Sequence, residues 1–124
     1  MTITISEGDD GMMKKVYVCS PLRGKVCENL TDVKKYARYV LLCGAAPVVP
    51  HYYAFSLNDN DRKEREIGMK AGKSLLWYCD ELWVFGEVVT EGMQSEISFC
   101  ESLGVPVKHI RQNQINKLLG GYTP

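Results

Sequence analysis

In Thr90-Glu91-Gly92-Met93-Gln94-Ser95-Glu96, a glycine precedes a glutamate by four residues. On a helix that spacing is about one turn, so both positions can face one cleft. A carboxylate placed there can act as a nucleophile or as a base. Gly92 in a first helical turn costs helix propensity, and close approach of a ligand to the backbone is one reason to keep it. The plain alternative is that Glu96 is a solvated helix carboxylate and Glu91 a partner for the helix dipole.

Three further segments carry usable groups. Ser20-Pro21-Leu22-Arg23-Gly24 falls between an apolar run and a helical pattern. Backbone N–H groups at a helix start favour anions, and an arginine there can fork onto phosphate or carboxylate. An ordinary turn with a solvated arginine is the competing reading. The loop has no GxGxxG or Walker pattern. Gly72-Lys73-Ser74 does not supply one, because the first motif glycine would fall at Ile67 and the tripeptide lies inside a helical pattern. Tyr17, on a strand, needs a partner for its hydroxyl, and Glu96 is a candidate. Pro50-His51-Tyr52-Tyr53 offers an imidazole and two rings for the floor of a base or sugar pocket, or simply rings that pack over the end of a sheet.

Strand and helix signals alternate along the chain and must position these groups. Lys15 to Cys19 is short and β-branched, and a helical face follows at Val26, Leu30, Val33, Ala37, Val40 and Leu41. Gly44 stands at a C-cap position, and Ala45 to Pro50 reads as a proline-bracketed strand near the edge of a sheet. After the His51 to Asn60 loop, a helix starts near Asp61 or Glu64, with Ile67, Ala71, Leu75 and Tyr78 on one face. Leu82 to Phe85 suits a strand buried on both faces, and Gly86 closes it. Thr90 is the expected N-cap of a helix that runs to about Leu103 and buries Met93, Ile97 and Cys100. Val105 to Ile110 and Gln112 to Leu119 give a last strand and a last helix. This alternation predicts an α/β fold: a Rossmann- or flavodoxin-like three-layer sandwich with a four- or five-stranded, mainly parallel sheet. Ligands bind beyond the carboxyl ends of such strands. The segments Cys19–Gly24, Pro50–Phe55 and Gly86–Glu96 are expected to converge there.

The 124 residues suit a single domain, with 1–13 a flexible polar lead and 120–124 a tail. Fifteen basic and fifteen acidic residues cancel, which argues against a broad nucleic-acid footprint. No apolar run approaches the ~20 residues that span a bilayer. The lead lacks the basic and apolar regions of a signal peptide, so a cytoplasmic protein is expected. Five cysteines, without a C-x-x-C pair, and two distant histidines suggest buried free thiols. No metal and no cofactor are expected.

Val16-Tyr17-Val18-Cys19-Ser20-Pro21-Leu22-Arg23-Gly24, Pro50-His51, Cys79 to Gly86 and Thr90 to Ile97 together resemble the nucleoside 2-deoxyribosyltransferase-like superfamily. The resemblance spans roughly residues 15 to 107, and it is narrower with a small bacterial and phage branch and with deoxynucleoside monophosphate N-glycosidases. It implies that Glu96 attacks the anomeric carbon of a nucleoside or nucleotide and displaces the base, and that Tyr17 orients Glu96. It also implies that Ser20, Arg23, Gly24, His51, Gly86, Thr90, Gly92 and Met93 surround the substrate. Arg23, Gly24 and Thr90 stand where the 5′-phosphate is held. Two transferase aspartates have no counterpart: their places fall near Gly72 and at Thr90. That leaves Asp59, Asp61 or His51 to protonate the leaving base if the middle loop folds over the site. The alternative is a non-catalytic nucleotide-binding or sensing module. The expected partner is a small nucleoside or nucleotide, not a nucleic-acid polymer or a membrane. A homodimer or dimer-based oligomer is also expected, with Tyr36, Tyr39, Trp77 and Tyr78 as surplus aromatic surface.

Overall fold

The computed structural model describes residues 12–21, 26–58 and 60–120. The elements are β1 (Lys15–Cys19), α1 (Val26–Leu42), β2 (Ala46–Val48), a 3-10 helix (Pro50–Phe55), α2 (Arg62–Leu76), β3 (Glu81–Val84), α3 (Glu91–Leu103), β4 (Val107–His109) and α4 (Gln112–Gly120). The described strands form one parallel sheet in the order β2-β1-β3-β4. This is the α/β Rossmann- or flavodoxin-like architecture that the alternation predicted.

The period of two in β1 sorts its side chains between two cores. Val16 and Val18 point to one face and pack with Val33, Tyr36, Val40, Phe85 and Ile115, which brings in α1 and α4. Tyr17 and Cys19 point to the other face and pack with Leu76, Met93, Ile97 and Cys100, which brings in α2 and α3. Each fully buried aliphatic side chain stabilises the fold by about 1.5–3 kcal/mol, so the central strands hold both layers together. β2 is an edge strand, where Pro47 withholds no ladder bond that a neighbour needs. The segment after it is a 3-10 helix rather than the open loop expected from its composition.

Two expectations about aromatic and apolar faces need correction. The buried face of α2 is carried by Gly72 and Leu76, while Ile67 and Tyr78 are exposed. The helix ends at Leu76, so Tyr78 falls in the turn beyond it, and a bare glycine at 72 lets the helix seat closely on β1. Tyr36 and Tyr39 are not surplus surface either. Tyr36 stacks on Phe85 at 4.6 Å between ring centroids, and Tyr39 meets Trp83 edge-on at 6.0 Å. Trp77 and Tyr78 remain outside.

From β1 the chain moves to β2 on one side, and then to β3 and β4 on the other. The crevice beyond the carboxyl ends of β1 and β3 is therefore the topological switch point.

Candidate active site

Tyr17 and Cys19 are two residues apart on β1, so they share the face that α2 and α3 cover. Thr90 starts α3 beside that face. Its Oγ1 accepts from the Met93 N–H at 3.2 Å, and its own N–H donates to Met93 Sδ at 3.4 Å. This cap fixes where the helix begins, and hence which turn carries Glu96 to β1. The Tyr17 hydroxyl donates to Glu96 Oε2. The Cys19 Sγ lies 3.6 Å from Glu96 Oε1. The tyrosine whose hydroxyl needs a partner and the glutamate one turn after Gly92 thus meet directly, 79 positions apart in sequence.

Gly72 of α2 forms the third wall. A Cβ built on it would stand 2.7 Å from the Tyr17 hydroxyl oxygen and 3.7 Å from Glu96 Oε2. Real Cβ atoms do not sit that close, so only glycine lets the helix pass over the pair.

Burial pushes the Glu96 carboxyl up from its ordinary value. Hydrogen bonds from Tyr17 and Cys19 and the charge of Lys73 oppose that rise without cancelling it. Burial, and then the Glu96 charge, push the Tyr17 phenol far up, so it remains a proton donor. The carboxylate is therefore held by neutral donors rather than by an ion-pair partner. Raised carboxyl groups in clefts are common at sites of chemistry.

His51 and Ser20 form a second buried pair at the end of β1. The His51 Nε2 lies 3.0 Å from the Ser20 carbonyl oxygen and 2.9 Å from its Oγ. A carbonyl only accepts, so Nε2 carries the proton. Nδ1 is buried, and among the described residues it has no partner. Burial lowers the imidazole's proton affinity, partly offset by the Ser20 backbone bond. A neutral ring thus ties the end of β1 to the 3-10 helix.

The other expected residues occupy distinct places. Gly86 adopts a φ of +90° and packs on Pro21, whose Cδ a Cβ would meet at 3.2 Å. Gly92 is open: the nearest atom to a Cβ there is Thr90 Oγ1, at 4.0 Å. The Met93 side chain is buried in the core and its N–H is used by Thr90. Asp61 is the N-cap of α2, with Oδ1 accepting from the Lys63 and Glu64 N–H groups at 2.8 and 3.3 Å. Gly72-Lys73-Ser74 lies within α2. Arg23, Gly24 and Asp59 lie outside the described residues. Among those that are described, no group of three or more metal-ligating side chains assembles, and no helix is long and apolar enough to cross a membrane.

A family profile described as Domain of unknown function (DUF7768) matches residues 14–110. The chain belongs to the DUF7768 family. No curated protein matches the sequence. Among solved structures, this DUF7768 domain is similar to a 2-deoxyribosyltransferase from the psychrotolerant bacterium Bacillus psychrosaccharolyticus. The TM-score is 0.61 at 20% identity, over 83% of this chain and 80% of that one. It is also similar to a conserved protein from Enterococcus faecalis V583, with a TM-score of 0.53 at 22% identity. That match covers 78% of this chain and 62% of the other. The resemblance to the 2-deoxyribosyltransferase fold, read from short motifs, is therefore present in the architecture of the DUF7768 domain.

Three residues of this site are not marked by the sequence pattern. Composition makes Cys19 a small buried hydrophobe, although its spacing from Tyr17 puts it on the same face. Gly72 stands only where a transferase carboxylate is missing. Lys73 belongs to no phosphate motif, yet its charge acts on Glu96.

Proposed function

We propose that this protein cleaves or exchanges the N-glycosidic bond of a nucleoside or nucleoside 5′-monophosphate, with Glu96 as nucleophile. The observation that carries this reading is the half-buried, raised Glu96 carboxylate joined to Tyr17 at the switch point of the sheet. The likeness in fold to a 2-deoxyribosyltransferase supports it.

One Glu96 oxygen forms a bond to the anomeric carbon as the bond from that carbon to the base nitrogen breaks. The electron pair leaves with the base, which takes up one proton. Water then opens the glycosyl ester, giving free sugar and the restored carboxylate, or a second base nitrogen attacks and completes a transfer. Tyr17 holds the carboxylate during attack, which converts binding energy into orientation. Asp61 caps α2 and the His51 Nε2 proton is held on Ser20, so neither is assigned the proton for the leaving base. Gly92 leaves the first turn of α3 open to the sugar, and Arg23 and Gly24 with Thr90 receive the 5′-phosphate where one is present.

The test is a panel of deoxynucleosides, ribonucleosides and their monophosphates, with free base measured by chromatography. Base release from at least one member supports the proposal. Thermal stabilisation by a nucleotide with no base released from any of them would instead make the domain a binding module. In the same reading the protein assembles as a dimer or larger oligomer, and Trp77 and Tyr78 are the exposed rings available for that contact.

A further inference from the structure

We propose that Cys19 is a positioning residue for Glu96: its S–H donates to Oε1 while Tyr17 holds Oε2, so the carboxylate is gripped at both oxygens. The bond rests on geometry alone, and its catalytic consequence rests on the reading of Glu96 as nucleophile.

The Cys19 side chain is fully buried, and its Sγ has two acceptors in reach: Glu96 Oε1 at 3.6 Å and the Met93 carbonyl oxygen at 4.0 Å. A thiol has one proton, and the nearer, charged acceptor takes it. No other donor among the described residues reaches Oε1. Burial and the neighbouring carboxylate push the thiol well up, so it remains S–H and is a donor rather than a nucleophile. The titratable groups that act on or feel Glu96 are Tyr17 and Cys19 from β1, Lys73 from α2 and Cys100 from its own helix. Of these only Lys73 carries charge.

The two grips are unequal. A phenol is a strong donor and a thiol a weak one. Oε1 therefore keeps the greater electron density and is the oxygen that bonds to the anomeric carbon as the base departs with its electron pair. A weak bond leaves that oxygen free to form the new bond, while it fixes the orientation of the carboxylate as the anomeric carbon approaches. An aliphatic residue of similar size would fill the same core volume but leave Oε1 without this donor.

Two readouts test the bond without any need for turnover. In protein labelled with 13C at the glutamate carboxyl, Glu96 is titrated in wild type, Cys19→Ala and Cys19→Ser. Loss of a donor to the charged form raises its midpoint, by about half a unit to one unit in Cys19→Ala, and Cys19→Ser brings it back down. In the infrared, the difference spectrum between wild type and Glu96→Gln shows one S–H stretching band, that of Cys19, moved to higher frequency in the variant, where the acceptor is neutral. That second measurement leaves Cys19 in place, so it stands even if Cys19→Ala fails to fold. An unmoved S–H band, or an unchanged Glu96 midpoint in a folded Cys19→Ala, overturns the proposal. Shifted readouts with no base release from wild type would uphold the Cys19 grip and overturn the nucleophile reading. Where base is released, Cys19→Ala lowers kcat about tenfold with KM little changed, and Cys19→Ser restores most of it.

Discussion

The two ends of the sheet each hold a glutamate, one buried and one half-buried, and they treat it in opposite ways. At the amino end, Glu81 opens β3 and accepts from the Lys14 ammonium, from the Lys108 ammonium at 2.9 Å and from the Trp83 indole N–H at 2.9 Å. Burial alone would raise that carboxyl, but these three donors outweigh it and hold it at about 2. At the carboxyl end, Glu96 receives a phenol and a thiol, both neutral, and burial prevails. The first arrangement answers the carboxylate charge with two ammonium groups and a neutral donor, and it ties β1, β3 and β4 together. The second leaves a desolvated carboxylate with its charge only partly answered. A fold gains nothing in stability from that, so the contrast separates a structural carboxylate from one kept for chemistry.

The contrast can be broken from either side. The largest expected effect is at Glu96: Glu96→Gln should cut base release by at least about a thousandfold while the fold persists, seen by circular dichroism and by chromatography of the base. Next is Gly72→Ala. In an ordinary helix this change stabilises, but here the added Cβ strikes the Tyr17 hydroxyl. Displacing the Tyr17–Glu96 pair by even ~1 Å should cost about a hundredfold in kcat, and the overpacked core should lose about 1–3 kcal/mol of folding free energy. Glu81→Gln should cost stability alone. Denaturant titration should show a loss of about 1–3 kcal/mol, because a buried hub loses its ion pairs while Lys14 and Lys108 can still reach water. Base release per folded molecule should be unchanged. A variant of Glu81 that lost activity without stability would collapse the distinction.

Smaller effects sharpen it. Arg23→Ala should weaken binding of nucleoside monophosphates about tenfold more than binding of nucleosides, as calorimetry with each would show. The two glutamates should also shape stability against pH in opposite directions. The Glu81 carboxyl is depressed, so its contribution is present above the ordinary carboxyl range and is lost as pH falls towards about 2. The Glu96 carboxyl is raised, so the folded state holds a proton that the unfolded chain has released, and stability falls as pH rises through that window. Glu96→Gln should therefore melt higher than wild type at neutral pH, and the gain should vanish once wild-type Glu96 is protonated. A lower melting point for the variant at neutral pH would contradict this account of Glu96.

Much of the scaffold was legible because it follows from periodicity. The alternation of Tyr17 and Cys19 with Val16 and Val18, the Thr90 cap and the Met93, Ile97 and Cys100 stripe all use local rules that tertiary packing respects. The reading failed where packing decides. Ile67 and Tyr78 fitted a helical stripe by spacing, yet the buried side of α2 is set by the gap that Gly72 leaves for Tyr17. Tyr36 and Tyr39 looked like surplus aromatic surface because pattern alone does not reveal that Phe85 and Trp83 wait opposite them. The Tyr17–Glu96 contact was suspected from chemistry. The Cys19 contact and the Ser20–His51 tie were not, since a thiol reads as a small hydrophobe and nothing in the local pattern aims the serine at the imidazole.

The most direct test of the central claim is to stop the reaction during turnover and weigh the protein. With a nucleoside or monophosphate that yields free base, acid-quenched wild type should carry a covalent sugar adduct. Peptide mapping should place it on Glu96, and Glu96→Gln should carry none. Base release with no adduct, or an adduct on another residue, would show that Glu96 is not the nucleophile.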